Sequence, residues 1–286
     1  MKRTAFRITI AAALCCSLSF AAAMDWPVQD GRLIRNFGWN DRGRPVLGMA
    51  FSGGTDILAS ESGEVIFTRS VNDTASRLPS PLGNWVAVDH EDGLISIYSR
   101  YGGNNPPQSR VEKQTAIAAA GASGWSKEGG LFFMLYDRKD RRWINPEMII
   151  TPVRSAPPRI LSYELRDAQG IPASAAQFWN LNQGRYKITV ATANAQTREN
   201  YLAPYRIQCY VNGAEVGSLN FEYFSARDGS LMVYRNGLVP VRQIYAQFPA
   251  FEVADVFLNR GQAAMEIIVH DLAGNTGNAA ARLIIN

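Results

Sequence analysis

The chain has 286 residues, 47% hydrophobic and 10% aromatic, which provides for one large core or two ordinary ones and excludes a disordered protein. Its formal charge is +4, but Lys2, Arg3 and Arg7 lie in a leader-like start, and removing those three charges leaves +1. The other basic residues are scattered, so no concentrated basic face exists for nucleic acid.

Taken in order, residues 1–23 read as a secretory signal peptide. A basic start precedes an apolar centre from Ile8 to Phe20, and Ala21 to Ala23 form a small-residue cleavage site. The apolar run is shorter than the roughly 20 residues that span a bilayer, and no later segment is long and apolar enough. A mature chain beginning near Met24 is expected to be secreted or periplasmic. Cys15 and Cys16 belong to the signal; lipidation there is the alternative, although Leu14 stands where a small residue is favoured. Cys209 is then the single cysteine left, which excludes an internal disulfide.

From Asp25 the pattern is short apolar alternation broken by glycines, the grammar of β-sheet with tight turns. Residues 54–68 read as strand, glycine turn and strand, and 73–81 as a polar surface loop. Val86 and Val88, then Ile95 and Ile97 beyond Asp92-Gly93, predict a β-hairpin. The alanine-rich stretch Ala116 to Ala120 leaves a short helix and a tight strand pair both open. Leu131 to Leu135, between two glycines and a charged run, predicts a strand covered on both faces.

In this order the blocks resemble the lysostaphin and LytM-like zinc endopeptidases of bacterial cell walls. Trp26-Pro27-Val28, Gly31 and Phe37-Gly38 are similar to the family's opening. Gly54-Thr55, Ala59, Gly63 and Val65 are similar to its glycine hairpin. Val86 to His90 with Gly93 and Tyr98 match its next strand pair, Val111 to Gly124 a further hairpin, and Leu131 to Asp137 the strand that carries its His-x-His. The resemblance covers about Trp26 to Pro146 and implies an antiparallel β domain of the duplicated hybrid motif type, residues 24–150. In active members two histidines and an aspartate hold zinc, which lowers the pKa of a bound water toward about 7 and polarises the scissile carbonyl.

Carried over residue by residue, the ligand positions fall on Val46 and Ala50, with Gly48 as the motif glycine. The family's Tyr-x-His histidine falls on Arg100 and its His-x-His pair on Gly130 and Phe132. Valine, alanine, glycine and phenylalanine offer zinc no lone pair, and a guanidinium repels it. The resemblance therefore implies a degenerate member with no catalytic residues, no metal and no other cofactor. His90 matches a family position outside the metal shell; it reads either as a general base or as a strand-end histidine bonded within its hairpin. Asp89, Glu91 and Asp92 beside it read as a solvated turn. Trp85, Tyr98, Arg100 and Trp125 are the candidate ligand contacts in the former groove, with Arg100 an anchor for carboxylates. For Trp85 and Trp125, ordinary packing is the competing reading.

Thr151 to Arg159 is proline-rich and reads as a stiff linker. Beyond it, seven strands are predicted at Ile160–Leu165, Tyr186–Thr192, Tyr205–Val211, Ala214–Phe221, Leu231–Tyr234, Glu266–Asp271 and Ala280–Ile285. Asn212-Gly213 is a hairpin turn. Tyr186, Ile188 and Val190 share a face, as do Ile207, Cys209 and Val211, the alternation of a sandwich. The ending His270-Asp-Leu-Ala-Gly-Asn resembles that of bacterial immunoglobulin-like domains, so residues 160–286 are expected to form an immunoglobulin-like β-sandwich. Cys209 is expected in its core and His270 at the surface. Phe224 to Arg260 reads as a long irregular part, either a lid or an ordinary excursion.

The expected function is that of an exported, non-catalytic LytM-like protein that binds peptidoglycan or regulates a cell-wall hydrolase by protein contact. An active metalloendopeptidase with a non-standard site around His90, and a structural envelope scaffold, are the alternatives.

Overall fold

The computed structural model describes residues 24–72, 78–103, 109–125, 129–150, 157–173, 177–178, 180–197 and 200–286. Residues 1–23, read above as a signal peptide, most of the predicted 73–81 loop and most of the proline-rich stretch read as a linker lie outside the described residues.

The first half contributes ten strands: β1 (Arg32–Arg35), β2 (Met49–Ser52), β3 (Asp56–Leu58), β4 (Gly63–Arg69), β5 (Trp85–Asp89), β6 (Leu94–Ser99), β7 (Arg110–Val111), β8 (Ala116–Ala119), β9 (Gly130–Asp137) and β10 (Arg142–Ile144). The apolar run read as a doubly covered strand is β9, at the centre of the sheet. Along one edge β9 pairs with β6, and along the other with β2 and then β10. The β5–β6 hairpin turns at Gly93, whose φ of 89° suits glycine. The alanine-rich stretch is a strand, β8, paired with β3.

Alternation along β9 splits its side chains between two faces. Leu131, Phe133 and Leu135 enter a core with Tyr98, Ile57 and Ile117. Phe132 and Met134 point to the opposite face, with Ala87 and Ile97.

The second half contributes β11 (Arg159–Arg166), β12 (Pro172–Ala173), β13 (Gly184–Thr197), β14 (Asn200–Leu202), β15 (Arg206–Val211), β16 (Ala214–Arg227), β17 (Ser230–Arg235), β18 (Leu238–Pro240), β19 (Phe251–Leu258), β20 (Gly261–His270) and β21 (Thr276–Ile285), with one helical turn, α1 (Val241–Ile244). One sheet runs β12-β11-β13-β19 and the other β21-β20-β15-β16. Leu165, Ile188 and Val190 from the first meet Ile207, Cys209 and Ile267 from the second in a shared core. Cys209 is fully buried, and burial pushes its thiol up to about 12.

Phe224 to Arg260 is not irregular. It carries β17, β18, α1 and β19, and β19 pairs along β13. A bulge opposite Ile188 and Thr189 buries Val253 and Ala254 in succession and leaves Phe257 exposed. That break in period 2 hides the strand from a search for alternation.

Strand β16 joins the halves. Its first part pairs with β15, and Tyr223 to Ser225 pair with β10. Among the described residues, one antiparallel sheet thus passes through fourteen strands of both halves. Phe37, from the first half, is fully buried in the core of the second, its ring 5.0 Å from that of Phe224. Asn36 clamps the junction, accepting the Ala203 N–H at 2.7 Å and donating to the Ala203 carbonyl at 2.9 Å.

Candidate functional site

The strand registers bring three of the five carried-over positions together. Ala50 on β2 is the Cα partner of Phe132 on β9 and of Arg35 on β1. Phe132 in turn pairs with Ser99, the last residue of β6, and Arg100 follows. Arg100 has a φ of 73°, and its N–H donates to the carbonyls of Leu82 and Asn84. This sharp exit folds its side chain back over the sheet, with the guanidinium 4.8 Å from the centre of the Phe132 ring. A cation therefore covers an aromatic face beside a methyl group.

Electrostatics at this spot are one-signed. Burial lowers the Arg100 pKa from its usual value, and Arg35 adds like-charge repulsion. The Arg100 Nε is buried without a hydrogen-bond partner. Among the described residues no carboxylate forms an ion pair with Arg35 or Arg100. Arg35 itself escaped the sequence reading, because simple alternation places it with the buried Leu33. A bulge between them turns it onto the face of Ala50.

Gly130 lies two residues before Phe132 on the same face. A Cβ there would sit 1.9 Å from the Phe51 carbonyl oxygen, so this backbone does not admit a histidine. Val46 precedes β2 in a loop, where its N–H donates to the Trp39 carbonyl and its own carbonyl accepts from Gly38. The zinc site of the resembling family does not fit these residues. Ala50 and Phe132 carry no donor atom, and a guanidinium stands over the ring. Among the described residues no group of three or more histidine, cysteine, aspartate or glutamate side chains is arranged to hold a metal ion.

Tyr98 is not a ligand contact. It is fully buried on the other face of the sheet, its ring against Phe133 and its oxygen accepting the Ser60 N–H at 2.8 Å. Residues 97 and 99 face the Arg100 side, so alternation directs Tyr98 away from it.

His90 is on that far face too and is 4% exposed. Its Nδ1 lies 2.8 Å from the Ser62 carbonyl, to which it donates, and its Nε2 lies 2.8 Å from Ser96 Oγ, which pairs with Tyr98 at 3.1 Å. Both ring nitrogens are engaged, and the neighbouring Asp89 is paired with Arg138 at 2.7 Å. The strand-end reading of His90 is the one this geometry supports. Trp85 is half-buried on the Arg100 side and stacks on Phe67 at 4.5 Å, a partner the sequence did not single out. Trp125 is 73% exposed, its N–H donating to Pro81.

Comparison with known proteins matches residues 46–146 to the model of peptidase family M23. A second family model, without a description, matches residues 157–286. The murein hydrolase activators NlpD of Salmonella dublin and Salmonella typhimurium are each 29% identical over 129 residues, 44% of this chain and 30% of theirs. The chain thus spans under a third of the length of these curated relatives. Among solved structures, a mutant catalytic domain of the M23 protein EnpA from Enterococcus faecalis is 21% identical, covering 42% of this chain and 94% of that one at a TM-score of 0.34. The lysostaphin catalytic domain from Staphylococcus simulans is 20% identical, covering 38% and 82% at 0.33.

Proposed function

We propose that this protein, whose residues 46–146 match the model of peptidase family M23, is an exported, non-catalytic LytM-like protein that regulates a cell-wall hydrolase by direct contact. The observation that carries the reading is Arg100 lying over Phe132 beside Ala50. Where active members place donors for a metal, this chain places a cation that has no carboxylate partner among the described residues on an apolar floor, a surface suited to carboxylates. The likeness to proteins named murein hydrolase activators supports a regulatory role. Glu and Asp side chains of a hydrolase are the expected counterpart of Arg100 and Arg35.

Residues 160–286 are read as an immunoglobulin-like domain, joined to residues 24–150 through 151–159. Facing sheets ordered β12-β11-β13-β19 and β21-β20-β15-β16 support this, since they repeat that fold's strand pairing. Export is read from residues 1–23, and among the described residues no helix is long and apolar enough to cross a membrane.

Peptidoglycan is the second reading, since the carboxylates of its stem peptides would suit the same two arginines. The test is dye release from labelled sacculi by a purified N-acetylmuramoyl-L-alanine amidase, with and without this protein. Stimulation by the wild type, weakened in Arg100→Glu, with no release by the protein alone, supports regulation. Zinc-dependent release by the protein alone refutes the non-catalytic reading. Co-sedimentation with sacculi that is lost in Arg100→Glu, without stimulation, moves the assignment to the wall polymer.

A further inference from the structure

The strand registers set six side chains in one row across the sheet, on the face that carries Arg100. Arg69, at the end of β4, is opposite Trp85, Trp85 is opposite Ser99, Ser99 opposite Phe132, Phe132 opposite Ala50 and Ala50 opposite Arg35. Directly opposed residues share a face, so Arg69 joins Arg35 and Arg100 on this side. At about 4.8 Å from strand to strand, the row from Arg69 to Arg35 covers about 24 Å measured along the sheet. An arginine stands at each end, and Arg100 lies over the middle, on Phe132.

Among the described residues none of these three arginines forms an ion pair. Arg69 donates to the Leu78 carbonyl, and the Arg35 guanidinium lies 5.2 Å from the Trp39 ring. Neither contact brings a negative charge. Asp89, further along the same face of β5, is taken by Arg138 at 2.7 Å. The rings of the row do not offer a different kind of site. Arg100 covers Phe132 and Phe67 stacks on Trp85 at 4.5 Å, so neither is an open platform for a sugar. What the row leaves without a counterpart is positive charge at three points in a line.

Resting on the functional reading above, we propose that the row seats one acidic segment of the hydrolase, which crosses the strands from Arg69 over Arg100 to Arg35 and meets each arginine with an aspartate or glutamate. Charge complementarity selects carboxylates, and length selects a protein segment. A span of about 24 Å needs at least about seven extended residues, whereas a single wall stem peptide of about five residues reaches about 18 Å at most. Because the segment crosses the strands, its backbone cannot extend the sheet, and side chains carry the recognition. Arg69 is thereby a specificity residue for the partner, at the far end of the row from Arg35.

The test uses the full chain in the same amidase assay, reading the concentration for half-maximal stimulation. Arg69→Glu is expected to raise it about tenfold and Arg69→Gln several-fold, while Arg69→Lys stays within about twofold of the wild type because the charge is kept. Circular dichroism and melting establish that each variant is folded; Arg69→Gln, which removes the charge without reversing it, decides the matter if Arg69→Glu does not fold. A weakened Arg100→Glu alongside folded Arg69 variants that match the wild type overturns the row and leaves the functional reading standing. A loss in Arg69→Lys as large as that in Arg69→Glu gives Arg69 a structural role and overturns the proposal as well. Absence of wild-type stimulation removes both. If Arg69→Glu instead weakens only sedimentation with amidase-free sacculi, the row serves the wall polymer and the protein segment is refuted.

Discussion

Arg100 places a charge where it has little solvation and a like-charged neighbour, so its presence is a cost to folding that, among the described residues, no carboxylate offsets. Arg100→Met keeps the contact with Phe132 while removing the charge. Chemical denaturation of this variant is expected to show unchanged stability or a gain of about 1 kcal/mol, by the reasoning that a buried polar group without a partner is destabilising. A loss of more than about 1 kcal/mol would reveal a compensating partner.

Glu147 is a second residue whose state depends on its surroundings. It follows Asn145 at the junction of the halves, and burial raises its pKa from 4.5 to about 7, with Asp271 adding to the rise and an Asn36 hydrogen bond opposing it. The folded protein holds this proton more tightly than the unfolded chain does. The contribution to stability is therefore complete below about pH 4.5 and is lost as pH rises through about 7. Glu147→Gln is expected to match the wild type near pH 4.5 and to exceed it at pH 8 by on the order of 2 kcal/mol, reduced from the full shift because the residue is only half-buried. Melts at the two pH values check this, and equal differences at both would refute it.

At the scale of elements, strand alternation decides which residues share an environment. The β5–β6 hairpin was legible because Val86, Val88, Ile95 and Ile97 lie within a dozen residues around a glycine turn. The same alternation assigns Tyr98 to the face opposite Arg100, whereas motif matching alone had grouped the two. Tyr98→Phe leaves the Ser60 N–H without its acceptor, with an expected loss of about 1–3 kcal/mol. Its folded form should stimulate the amidase as the wild type does; a weakened effect at full folding would return Tyr98 to the contact surface. Bulges limit what period 2 reveals. They turn Arg35 outward and conceal β19, since a single extra residue exchanges the faces of everything beyond it.

At the scale of the molecule, the halves share backbone pairing and core. Strand β10 pairs with β16, Asn145 donates to the Phe221 carbonyl, and the Tyr245 hydroxyl donates to the Gly38 carbonyl at 2.6 Å. Asn36→Ala would strip both polar groups of Ala203 of their partner, and a loss of about 2–4 kcal/mol is expected from two buried hydrogen bonds. Calorimetry should show one cooperative transition in the wild type and a lower one in the variant. Two separate wild-type transitions would contradict the unity of the sheet.

The sequence by itself determined the β character, the hairpin, the central strand β9 and the core place of Cys209. Each is written in residue type and local period. Only the tertiary structure decided that Arg35 joins Arg100 and that β16 extends into the first half. These follow from bulges and from pairings between residues far apart in the chain, where register is set by the packing of both partners and no short window of sequence contains it.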